Sequence, residues 1–326
     1  MDLARRISMA LPCVLLLACG PAIEAGDARV TGEKAHPTSA NGLCGSQQFQ
    51  LERVQPNVFL VIDRSGSMTL PIAPSSATRK WDDLKAAMSK LLLQFNNQMR
   101  FGMSLFSRTA SCDPGEIDAP LATLNGWTIL NQLEGATPGG TTPTAATLDY
   151  VRKHAGLDDP TRPNVVLLAT DGKPNCGDTD VVGKIQALYD ATPSVRTFVI
   201  GIGEETSSAP ALLDSWAVAG HTERAGDVKY YQSNSAAELS DAFQTIVGGL
   251  APCTFALPSA PPDPNKLYLS LAGAWLPNDP MNGYSYAYVD GPPSVTLNGQ
   301  ACEQLRADPS QKVQLVFGCP NGPDVL

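Results

Sequence analysis

The sequence predicts an α/β fold: a doubly wound, mostly parallel sheet flanked by helices, followed by a small C-terminal β-rich unit. Three observations predict it. Strand-length apolar runs with no polar face recur through the middle of the chain, and such runs belong to strands buried on both faces. Segments with helical apolar spacing separate those runs. Beyond about residue 257 the apolar period falls to two, which marks strands with one buried face.

The elements follow in order. Val58 to Ile62 is a continuous apolar run of strand length. Lys80 to Phe95 carries Trp81, Leu84, Ala87, Met88, Leu91, Leu92 and Phe95 at helical spacing. Phe101 to Phe106 reads as a strand, and Thr128 to Leu133 and Ala145 to His154 as helices. Val165 to Ala169 is a second buried strand; Val181 to Tyr189 is helical, and Val195 to Ile200 is a strand. Ala211 to Ala219 is helical, Val228 to Tyr231 a short strand, and Ala236 to Val247 a helix. The run from Pro258 to Pro264 cannot continue a helix and reads as a linker. Past it, Leu267, Leu269 and Leu271, then Tyr284, Tyr286 and Tyr288, then Val313, Leu315 and Phe317 alternate as strand positions.

With 326 residues, 43% of them hydrophobic, the chain can build one large domain and a small one, and wholesale disorder is excluded. Only 17% of residues are charged and the net charge is −9. That balance argues against a nucleic-acid partner, because sequence-independent binding needs clustered cations. At the N-terminus, Arg5 and Arg6 precede an apolar run from Ile7 to Ala18, too short to span a bilayer. This has the layout of a secretory signal. Leu16-Leu17-Ala18-Cys19-Gly20 resembles the bacterial lipobox, which implies a signal peptide over 1–18 and a lipid on Cys19. The alternative is an ordinary signal cut near Ala18. Gly20 in place of Asp resembles outer-membrane sorting. Residues 19–45 read as a flexible tether, 46–253 as the large domain and 254–326 as the linker and β unit. Setting aside Cys13 and Cys19, six cysteines remain, an even number that in an exported chain reads as disulfides.

In doubly wound sheets ligands bind beyond the carboxyl ends of the strands. The first strand runs into Asp63-Arg64-Ser65-Gly66-Ser67, which sets one carboxylate and two hydroxyls in a tight turn. Gly139-Gly140-Thr141-Thr142-Pro143-Thr144 opens a helix, and Thr170-Asp171-Gly172 ends a strand. These are hard oxygen donors, suited to Mg²⁺ or Mn²⁺. Each has a plain structural reading when taken alone. Asp and Ser cap helices, Thr-Pro-Thr starts one, and Thr-Asp-Gly is a turn.

Together and in this order, Asp63, Ser65, Ser67, Thr142 and Asp171 resemble the metal-ion-dependent adhesion site of von Willebrand factor type A domains. The resemblance covers about residues 46 to 252. It implies that these five residues hold one divalent cation, Mg²⁺ or Mn²⁺ with Ca²⁺ as a further candidate, some aspartate contacts running through water. Thr142 is preferred to Thr141 from the family pattern entering the helix. It also implies that the cation ligates an acidic side chain, Asp or Glu, of a partner protein. Asp171→Ala is then expected to remove metal binding and leave the fold intact. The alternative is a metal-independent structural or assembly scaffold of the cell envelope. An enzyme is not expected, since no general base is identifiable beside the serines. The membrane partner is expected through the N-terminal lipid only. The family fold further implies that Cys44 and Cys253 clasp the domain ends and that Cys112–Cys176 holds the loops beside the metal. Cys302–Cys319 is left to staple the β unit.

Overall fold

The computed structural model describes residues 51–108, 112–177, 179–207, 210–261, 263–288, 293–308 and 311–317. The signal peptide, Cys19, the tether, Cys44 and Cys319 lie outside the described residues. The elements in order are β1 (Glu52–Arg53), β2 (Asn57–Asp63), α1 (Lys80–Phe95), β3 (Arg100–Phe106), β4 (Ala119–Thr123), α2 (Gly126–Gly135) and α3 (Thr144–His154). Then come β5 (Asn164–Thr170), α4 (Val181–Tyr189), β6 (Val195–Ile202), α5 (Glu204–Ser207), α6 (Pro210–Ala219), β7 (Tyr231–Ser233) and α7 (Ala236–Gly249). The C-terminal unit holds β8 (Thr254–Ala256), β9 (Leu267–Leu271), β10 (Ala274–Leu276), β11 (Tyr284–Ala287), β12 (Ser294–Leu297), α8 (Gly299–Ala307) and β13 (Val313–Phe317).

The main sheet has the order β4-β3-β2-β5-β6-β7, and only β4 runs antiparallel to its neighbour. Every residue of β2 and β5 is buried, as continuous apolar runs require. On one face Val58, Leu60 and Ile62 pack against Trp81, Leu84 and Leu91 of α1 and Phe243 and Ile246 of α7. On the other face Phe59 and Val61 share a core with Leu148 of α3, Ile185 of α4 and Trp216 of α6. The chain leaves β2 for β3 on one side and later fills β5 on the other. The carboxyl ends of β2 and β5 therefore flank a topological switch point, where a crevice opens. Trp127 of α2 is 66% exposed.

The C-terminal unit has two antiparallel sheets, β1-β8-β12-β11 and β10-β9-β13, around a core that includes Phe255, Leu269, Val295, Leu305 and Leu315. Tyr284 is buried there and donates its hydroxyl to the Leu267 carbonyl. β1, which precedes the main domain, pairs with β8. The unit is also tied to the end of α7 by Arg306 Nε, which donates to the Ala251 carbonyl at 3.2 Å.

Two disulfide expectations require correction. Cys253 bonds Cys302 rather than Cys44, and Cys302 is thereby unavailable to Cys319. The reason is α8, which the two-residue period did not reveal. β12 pairs with β8 and leads directly into α8, whose Cys302 turns back over the start of β8. The Cα atoms of Cys253 and Cys302 stand 5.5 Å apart, within disulfide range. Cys112 and Cys176 are bonded to each other, joining the loop after β3 to the loop after β5.

Candidate functional site

β2 ends in Asp63, which is fully buried. Its Oδ1 accepts the Ser65 backbone N–H at 2.8 Å, and its Oδ2 accepts the Thr170 hydroxyl at 2.6 Å. The turn continues as a short 3₁₀ segment, Gly66–Thr69. Ser67 Oγ donates to Asp171 Oδ1 at 2.8 Å and lies 3.1 Å from Ser65 Oγ. A hydroxyl has one proton to give. Because Ser67 spends its proton on Asp171, Ser65 is the donor of the pair, and a relay runs Ser65 to Ser67 to Asp171.

The loop before α3 is bound to this turn through backbone. Gly66 N–H donates to the Gly140 carbonyl at 3.2 Å, and Gly139 N–H donates to the Arg64 carbonyl at 2.7 Å. Gly140 has φ +87°, a conformation that favours glycine. Thr142, 5% exposed, donates its backbone N–H to Asn175 Oδ1 at 2.7 Å. Asn175 adjoins Cys176, so the disulfide to Cys112 fixes the segment that holds Thr142. The structure thus joins Asp63, Ser65, Ser67 and Asp171 in one hydrogen-bonded group, with Thr142 attached through the neighbouring loops.

Three participants were not singled out from sequence as site residues. Thr170 orients Asp63; it lies in the quoted Thr-Asp-Gly turn, and its place at a strand end was the available signal. Lys80 is fully buried, and its Nζ donates to Asp171 Oδ2 at 3.0 Å and to Glu205 Oε2 at 2.9 Å. Neither Lys80 nor Glu205 sits in a local motif. They reach the site only because α1 and α5 both begin at this end of the sheet.

The electrostatics favour a cation. Burial, and then the neighbouring Asp171 carboxylate, push the Asp63 carboxyl up to about 7 against the pull of its Thr170 and Ser65 hydrogen bonds. Asp171 is paired with the Lys80 ammonium, whereas Asp63 is held by the Thr170 hydroxyl and the Ser65 N–H. Each of the four carboxylate oxygens accepts a hydrogen bond, and a carboxylate oxygen has lone-pair capacity for more than one. The remaining donors are hydroxyls, which like the carboxylates are hard oxygens. The donor set therefore fits a hard divalent cation.

The profile of the von Willebrand factor type A domain matches residues 57–244, more than half of the chain. The chain belongs to the von Willebrand factor type A family. Comparison with curated proteins finds no match. Among solved structures, this type A chain is similar to proximal thread matrix protein 1 of the mussel byssus with a zinc-occupied MIDAS motif. That likeness has 20% identity and a TM-score of 0.46, covering 64% of this chain and 50% of the mussel protein. The chain thus spans about half the length of that protein. It is similar to the pilus adhesin SpaC of Lactobacillus rhamnosus GG in its open conformation, at 14% identity and TM-score 0.49, covering 82% of this chain and 39% of the adhesin. It is also similar to the manganese-loaded TRAP protein of Plasmodium vivax, at 18% identity and TM-score 0.46, covering 77% and 97%.

Proposed function

We propose that this type A domain binds one divalent cation, Mg²⁺ or Mn²⁺, at Asp63, Ser65, Ser67, Thr142 and Asp171, and uses it to engage an acidic side chain of a partner protein. The observation that carries the reading is the relay from Ser65 through Ser67 to Asp171, built at the switch point beside the buried Asp63 carboxylate. When bound, the ion would supply an electrophilic position that a carboxylate can complete. Asp63 is held by Thr170 and the Ser65 N–H, which turns the Ser65 and Ser67 side chains toward Asp171. The Cys112–Cys176 bond keeps the Asn175 segment, and with it Thr142, in register with the turn. The role is binding rather than catalysis.

A second reading is a metal-independent interaction scaffold. The Lys80 ammonium favours it, because it already neutralises Asp171 in the absence of a metal. Calorimetric titration of Mg²⁺ and Mn²⁺ into the metal-free protein separates the two. Saturable binding of one ion per chain supports the first reading, and no binding supports the second.

The same proposal includes export and anchoring through a lipid on Cys19. The signal-like N-terminus supports it, as do the disulfides, which persist outside the reducing cytosol. Detergent phase partitioning tests it. The native protein is expected in the detergent phase and a Cys19→Ser variant in the aqueous phase. A native protein found in the aqueous phase would contradict it.

A further inference from the structure

Lys80 is not explained by helix formation. It occupies the first position of α1, where the partial positive charge of the helix terminus disfavours a cation. Its side chain is fully buried, and a buried ammonium needs anionic partners. It has two: Asp171 Oδ2 at 3.0 Å and Glu205 Oε2 at 2.9 Å. The surrounding backbone is shaped around it. Gly203 has φ +89°, and a Cβ there would lie 2.7 Å from Lys80 Cε and 2.9 Å from Glu205 Oε2. A side chain at this position would displace the Lys80 and Glu205 side-chain ends from where they stand.

We propose that Lys80 is a resident counter-cation: it neutralises Asp171 in the metal-free protein and thereby lowers the affinity of the site for divalent cations. The proposal rests on the metal reading above and adds its regulation. Lys80 sets one positive charge directly against Asp171, and removing it leaves that carboxylate without its cationic partner. A fixed positive charge touching one metal ligand opposes an incoming dication, and it does so strongly where water is excluded. Glu205 shares the ammonium from a half-exposed position and weakens that opposition. The hydroxyl relay onto Asp171 is then assembled before any ion arrives, and loading requires that Lys80 be electrostatically outcompeted.

The test is calorimetric titration of Mn²⁺ and Mg²⁺ into the metal-free full chain and its variants, with thermal unfolding in chelator and in excess Mn²⁺. Lys80→Met keeps the apolar stem and removes the charge. It is expected to bind Mn²⁺ at least about tenfold more tightly than the parent. It should also melt lower in chelator and gain more from Mn²⁺. Glu205→Gln releases the full charge of Lys80 toward Asp171 and is expected to weaken Mn²⁺ binding several-fold. Glu204→Gln removes the same formal charge from the adjacent position and is expected to leave binding unchanged. Unchanged or weaker binding by Lys80→Met, with the parent binding normally, overturns the role of Lys80 alone. Absence of binding in both proteins overturns the metal reading, and this proposal with it. If Lys80→Met does not fold, the paired glutamate variants decide: equal affinity in Glu204→Gln and Glu205→Gln overturns the proposal.

Discussion

Asp171 serves two partners at once, Ser67 through one oxygen and the buried Lys80 through the other. It is 2% exposed, so it is not the surface group that its turn sequence suggests. Asp171→Ala therefore does more than delete a metal ligand. It leaves the Lys80 ammonium with Glu205 alone, and breaking a buried pair in this way is expected to cost about 3 kcal/mol, the low end of the usual range because one partner remains. Urea denaturation of the metal-free variant checks this; an unchanged midpoint would mean that Glu205 compensates in full. Ser65→Ala is expected to weaken Mn²⁺ binding in a titration while leaving the unfolding midpoint within about 1 kcal/mol of the parent. At this scale the hydrogen-bonded group of Asp63, Ser65, Ser67 and Asp171 was legible, because the first three are neighbours in sequence and Asp171 directly follows a buried strand. Lys80 and Glu205 were not. Lys80 stands 91 positions from Asp171 and 125 from Glu205 along the chain, and only the sheet topology brings them together.

The elements that carry the site are fixed by burial and by one covalent link. The apolar runs of β2 and β5 predicted their own positions, and α1 was legible to the residue because seven apolar side chains repeat at helical spacing. β4 was missed: Pro120 interrupts it, and only Ala119 is buried at this antiparallel edge. α8 was missed because Ala301, Cys302 and Leu305 alone face the core, too few to declare a helical period. The Cys112–Cys176 bond spans 64 residues and would contribute up to about 4 kcal/mol by chain entropy. A Cys112→Ser, Cys176→Ser double variant is expected to lose about 2–4 kcal/mol in denaturant melts. It is also expected to bind Mn²⁺ more weakly, because the segment that holds Thr142 is no longer tied. Equal affinity in the double variant would mean that Asn175 is positioned by packing alone. Gly203→Ala forces both an unfavourable φ and a clash with Lys80, and should cost about 1–3 kcal/mol in the same melts.

Across the whole molecule, the doubly wound sheet sets the carboxyl ends of β2 and β5 side by side and a β-rich unit is fastened to the opposite end of α7. The fold class was legible because buried parallel strands and half-buried antiparallel strands differ in period. The disulfide pattern was not, since it depends on where α8 carries Cys302. Non-reducing peptide mapping is expected to recover Cys253 linked to Cys302 and Cys112 linked to Cys176; a Cys253–Cys44 peptide would contradict the packing of α8 against β8. The central claim is that one divalent cation belongs at the switch point. Anomalous diffraction from crystals soaked in Mn²⁺ tests it most directly. The account predicts a single strong peak within coordination distance of the Ser65, Ser67 and Thr142 hydroxyls, absent from crystals of Asp171→Asn. No peak beside these residues, or a peak that survives in Asp171→Asn, would contradict it.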